Sequence, residues 1–67
     1  MEKNMGLSGL IHAQFKTESE FADKIGWSRQ KLSRILLGKQ GATIPDVQDL
    51  SDGLGVPFMM VAKFFLE

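Results

Sequence analysis

Arg29, Gln30, Ser33 and Arg34 are four hydrogen-bonding side chains within six consecutive residues. On a helix at 100° per residue, Leu32 and Ile35 take one side, and Gln30, Ser33, Arg34 and Leu37 take the opposite one, with Arg29 and Lys31 on the flanks. Arginine can pair bidentately with guanine and glutamine with adenine, each good pair being worth about 1–3 kcal/mol of discrimination. Arg29, Gln30, Ser33 and Arg34 are therefore the side chains placed to reach base edges. Lys39, Gln40 and the amides after Gly38 suit phosphate, a contact that positions a protein without reading sequence. Lys31 suits either purpose. Leu37 can meet a thymine methyl or a partner, or remain solvated.

Bond-making chemistry finds no comparable set. The chain has one histidine, no cysteine and no tyrosine. His12, on a short amphipathic segment, reads as a surface or boundary residue, and no serine has a paired base at any argued distance. The GLSG at residues 6–9 is neither a phosphate loop nor a dinucleotide fingerprint. Glu18 and Glu20 are accounted for by helix capping and the helix dipole. The four methionines read as core or interface filling rather than a metal site. The expectation is a protein with no enzymatic activity, cofactor, metal or small-molecule ligand.

The elements that must position the reading residues follow from spacing. Residues 18–37 predict a helix, a tight glycine turn and a second helix. Phe21, Ile25 and Trp27 point to one side, Leu32 and Ile35 continue it, and Ala22 is small where two helices cross. Trp27 reads as a core or boundary aromatic. Gly26 sits where a left-handed residue ends the first helix of the pair. That combination is the DNA-binding supersecondary unit. Around it the patterning predicts helices over about 4–15, 18–25, 28–37, 44–54 and 57–66, with no competing strand. Leu7, Leu10, Ile11 and Phe15 form the stripe of the first, which Gly6 and Gly9 weaken. Thr17 with Glu20 opens the second, Ser28 caps the third, and Thr43 with Asp46 caps the fourth, where Pro45 fits the first turn. Val47, Leu50 and Leu54 form the buried stripe of the fourth, and Gly55 stops it.

A chain of 67 residues supports one small domain whose core is barely sufficient, so association with a second copy often helps. No stretch resembles a signal peptide or a membrane span, and the absence of cysteine suits a reducing cytoplasm. The formal net charge is zero, which argues mildly against a polyanion partner. The distribution argues the other way. From Lys24 to Ile44 there are five basic residues and no acid, while Glu18, Glu20 and Asp23 precede the stretch and Asp46, Asp49 and Asp52 follow it. Local field, not net charge, steers a polyanion.

The last segment, PFMMVAKFFLE, carries a single charge, Lys63, before Glu67. Phe58, Val61, Ala62 and Phe65 make one side. Met60 and Phe64 point nearly opposite, with Met59 and Leu66 widening the apolar girth. A helix apolar all round has a second surface to cover. Met59, Met60, Lys63 and Phe64 are the expected dimer interface. The alternatives are a small core that wraps more of this helix, or docking on a further domain of a longer regulator.

FADKIGWSRQKLSRILLGK, continued by TIPDVQDLSDGLGVP, resembles the lambda-repressor-like, Cro-type helix-turn-helix (xenobiotic response element) family of phage and bacterial regulators. The resemblance covers nearly the whole chain. It implies an all-α, five-helix fold that binds double-stranded DNA as a homodimer, usually as a repressor, in the cytoplasm of a bacterium and in some cases encoded by a phage. Carried over, the family's base-reading positions fall on Arg29, Gln30, Lys31 and Arg34, and its backbone contacts on Lys39 and Gln40, with Ser28 at the helix start counted among the phosphate contacts. Two recognition helices of a dimer would lie one DNA turn apart, roughly 34 Å, on a near-palindromic operator. Three departures stand out. Glu18 replaces a glutamine that touches phosphate, so that contact is lost or moves to Thr17 or Ser19. Leu36 and Leu37 replace a Glu and an Asn, and Leu36 is free to join the core. The first helix offers only His12 and Lys16 in place of arginines. The rival expectation is a protein-interaction module, antitoxin-like, that uses the apolar last helix.

Overall fold

Helix boundaries in this chain are set by side chains that cap them. The computed structural model describes residues 5–65, and those residues form α1 (Met5–Gln14), α2 (Glu18–Ile25), α3 (Arg29–Leu36), α4 (Ile44–Leu54) and α5 (Phe58–Lys63), with no strand among them. Thr17, Ser28 and Thr43 each accept a hydrogen bond from the backbone N–H three residues on. At α4 the Asp46 carboxylate also accepts from the Thr43 N–H at 3.1 Å, completing a capping box. At α2 the reciprocal bond reaches one residue further back, from the Lys16 N–H to Glu20 Oε1 at 3.3 Å.

Burial then selects how the helices stack. Phe21, Leu7, Ile11, Leu32, Leu36, Leu50 and Val61 are the largest fully buried side chains, and each contributes about 1.5–3 kcal/mol by leaving water. α2 packs against α1, α3 and α4, and α4 packs against α1 and α5 as well. The α2–α4 contact is close because residue 53 of α4 is glycine. A Cβ there would stand 2.3 Å from Ile25 Cγ2 and 2.9 Å from Phe21 Cε1. Among the described residues no helix is long and apolar enough to cross a membrane.

The last helix departs from expectation. It ends at Lys63, and the next turn tightens, with Phe64 N–H donating to the Val61 carbonyl and Phe65 N–H to that of Ala62, both at 3.0 Å. Phe64 thereby swings onto α1 instead of facing outward. Its ring lies over Gly6, where a Cβ would come within 2.6 Å of Phe64 Cε1. Met59 and Met60 remain 59% and 47% exposed. The expected contribution of Leu66 lies outside the described residues, as does Asn4, where the first helix was expected to begin.

Polar contacts tie the turn and α3 to α4. Trp27, 7% exposed, donates its indole N–H to Asp49 at 3.2 Å. The Lys31 ammonium lies 3.0 Å from Asp46 and 4.4 Å from the centre of the Trp27 ring. The Thr43 N–H, helped by Lys31, holds the Asp46 carboxyl below the ordinary aspartate range, although burial pushes it upward. A carboxylate stabilised in this way contributes above its unfolded pKa and loses that contribution as the pH falls through its lowered native value. Asp46→Ala is thus expected to lower stability at neutral pH by about 0.5–2 kcal/mol, the usual worth of a cap. The difference from the parent should shrink once the pH drops below about 4. Thermal melts at several pH values check this. A pH-independent difference would mean that Asp46 acts through packing alone.

Candidate nucleic-acid interface

The turn between α2 and α3 decides which side of α3 faces solvent. Gly26 adopts φ 77°, which an L side chain resists, and the Trp27 N–H donates back to the Ala22 carbonyl at 2.9 Å. Ala22 is fully buried, and its small size lets the helices cross tightly. Leu32, Ile35 and Leu36 of α3 go into the core. The opposite face of α3 is thereby turned outward and opens a groove of about 780 Å³.

Residues from two sides line that groove. Arg29, Gln30, Ser33 and Arg34 of α3 contribute one wall, continued by Leu37 and Lys39 just beyond the helix. The other wall is built by His12 near the end of α1, Lys16 and Thr17 of the connection, and Glu18 and Ser19 at the start of α2. The four side chains singled out for base edges share one surface with Thr17, Ser19 and Lys39, which were singled out for phosphate. Arg29, Gln30 and Arg34 are exposed, and Ser33 half-buried.

Lys31, Ser28 and Gln40 are placed otherwise. Lys31 lies over the Trp27 ring and pairs with Asp46, and it does not line the groove. The reason is tertiary: α4 brings a carboxylate and Trp27 an aromatic face to the flank of α3, and together they draw the ammonium away from the outer side. The Ser28 oxygen caps α3 by accepting from the Lys31 N–H at 3.1 Å, and Ser28 is not among the described residues that line the groove. Gln40 is exposed beyond the groove lining, its N–H bonded to the Arg34 carbonyl.

His12, Lys16 and Glu18 also line the groove; the family resemblance points to their positions, yet none of them is among the expected base or phosphate contacts. The Glu18 carboxylate, expected as a helix-start acid that would repel phosphate, meets two residues of α1. It accepts from the Ser8 hydroxyl at 3.2 Å and lies 3.3 Å from His12 Nε2. The spacing of Ser8 and His12, one helical turn apart, was a legible signal that they share a face. Only the packing of α1 on α2 aims that face at Glu18.

Charge completes the description. Lys16, Arg29, Arg34 and Lys39 line the groove, with Glu18 as the only acid among the described lining residues. The donors on the lining include arginine guanidinium, glutamine amide, serine and threonine hydroxyl and lysine ammonium, groups that match base edges and phosphates.

Two short capped helices joined by a glycine turn, with the second presenting a basic and amide-bearing face, define a helix-turn-helix protein of the DNA-binding type. The chain belongs to the helix-turn-helix domain family, whose model matches residues 13–63. That span runs from the end of α1 to the end of α5 and agrees with the lambda-repressor-like resemblance. No curated protein and no solved structure matches the chain.

Proposed function

We propose that this protein is a sequence-specific transcriptional regulator, a repressor that occupies a near-palindromic operator as a homodimer with α3 in the major groove. One observation carries the reading: Arg29, Gln30, Ser33 and Arg34 stand on a single solvent-facing wall, flanked by Thr17, Ser19 and Lys39. Base edges are read from α3, and the flanking groups take phosphate. Pairing of two copies rests on α5, where Met59, Met60 and Lys63 are exposed, with Phe64, half-buried against α1, just beyond its end.

The test is selection from a random DNA library at physiological salt, run with the intact chain and with Gln30→Ala, Arg34→Ala. Recovery of a two-fold symmetric site that the double variant no longer prefers supports the reading. An unchanged preferred site in the variant removes α3 from the reading role. Absence of any enrichment favours the protein-interaction module, with the exposed methionines of α5 as its contact surface. Single substitutions separate the two kinds of contact. Gln30→Ala is expected to relax preference at one position, at about 1–3 kcal/mol of discrimination. Lys39→Ala should weaken all sequences alike and reduce the salt dependence by about one counterion. Titrations of matched and mismatched duplexes at several salt concentrations distinguish these patterns.

A further inference from the structure

The first turn of α3 carries Arg29 and Gln30, yet the buried apolar side chains that anchor the helix begin only at Leu32. The residues on either side of that turn fix it instead. Before it, Trp27 is 7% exposed and donates its indole N–H to Asp49 of α4 at 3.2 Å. After it, the Lys31 ammonium lies 3.0 Å from Asp46 of α4 and 4.4 Å from the centre of the Trp27 ring. Lys31 also donates its backbone N–H to the Ser28 cap at 3.1 Å. Asp46 is itself held in place, because its carboxylate accepts from the Thr43 N–H in the capping box of α4. Residues 27 and 31 thus bracket residues 29 and 30, and tie both ends of the turn to Asp46 and Asp49, which share a face of α4.

Magnitudes separate two uses for such a tie. The Lys31 side chain is 35% exposed, and an ion pair open to water adds little to stability. Base reading is more demanding, because each side chain must be held within about 0.5 Å and about 10–20° of its productive placement. A pair too weak to decide folding is strong enough to select one direction of a short helix. We infer that Lys31 is a positioning residue: paired with Asp46 over the Trp27 ring, it aims Arg29 and Gln30 and so sets discrimination between DNA sequences, without itself touching a base. The inference rests on the DNA-binding reading and adds to it a residue that governs specificity.

The experiment measures, by fluorescence anisotropy at fixed pH and ionic strength, the affinity of each chain for two duplexes. One is the site selected by the parent, and the other a mixed-sequence duplex of equal length. The ratio of the two affinities is the readout, because a merely structural role lowers the melting midpoint and leaves the ratio of the folded chain unchanged. Lys31→Met is expected to lower the ratio about five- to tenfold, the lower end of what one bidentate base contact is worth. Asp46→Asn should lower it comparably, although asparagine keeps an oxygen for the Thr43 N–H. The two substitutions remove opposite charges. A purely electrostatic effect would therefore shift overall affinity in opposite directions and leave both ratios at the parent's value. Lys31→Arg, which keeps the charge, the carboxylate partner and the stacking, should retain the ratio within about twofold. An unchanged ratio in Lys31→Met overturns the inference. So does a ratio lost in Lys31→Met and kept in Asp46→Asn, the signature of a lysine that touches DNA directly. Should either variant fail to fold, Asp49→Ala, at an exposed position of α4, removes the other half of the tie and decides in its place. A folded parent from which selection recovers no site overturns the sequence-specific reading itself, which a failure at Lys31 alone leaves standing.

Discussion

Gly53→Ala is expected to destabilise the domain by about 1–3 kcal/mol, the usual penalty for overfilling a packed site. In an open helix the same exchange would stabilise by nearly 1 kcal/mol, because alanine is the better helix former. Here the added methyl lands 2.3 Å from Ile25 Cγ2 and 2.9 Å from the ring of fully buried Phe21. Neither neighbour yields cheaply. Cγ2 sits directly on a branched Cβ, and the Phe21 ring is wedged at the centre of the α2 packing. For a domain of this length a loss of that size lowers the melting midpoint by roughly 10 °C, readily seen by circular dichroism. Gly9→Ala is the built-in control. It lies within α1 with nothing within 4 Å of its added Cβ, so the midpoint should rise instead. A Gly53→Ala variant that melts at or above the parent would mean that α2 and α4 can part without cost.

Arg29→Ala with Arg34→Ala is expected to abolish recognition of the selected site while leaving the fold intact. Each guanidinium is worth about 1–3 kcal/mol if it pairs with a guanine, so the pair accounts for about 2–6 kcal/mol, a loss of roughly 30-fold to 10⁴-fold in affinity. Both side chains are exposed on the groove wall. The hydrogen bonds that Arg34 makes to Lys39 and Gln40 use its backbone carbonyl, which alanine retains. Melting should consequently shift little. Anisotropy titrations with the selected duplex at physiological salt provide the measure. A change of less than about threefold, roughly 0.6 kcal/mol, is too small for either bidentate pair and would move base reading off this face.

The caps, glycine stops and apolar stripes were legible in the chain because they are local. Thr17, Ser28 and Thr43 act on N–H groups three residues away, Gly26 and Gly55 end helices through their own backbone angles, and Leu32 and Ile35 lie one turn apart. Such features depend on sequence spacing alone, so the five helices and the outward face of α3 followed from it. The features that tertiary structure decided all join residues whose separation along the chain carries no geometric information. Gly53 matters only because α4 crosses α2 at Ile25 and Phe21. Phe64 left the outward face because Gly6 opened a place for its ring on α1. Lys31 lies at the flank of α3, outside the groove lining, because α4 brings Asp46 there. Glu18 changed from an expected repulsion into a held charge because α1 packs Ser8 and His12 against the start of α2. Periodicity states which side of a helix is apolar. The angle and distance at which two helices cross decide which polar groups meet, and those are set by close packing of the whole core.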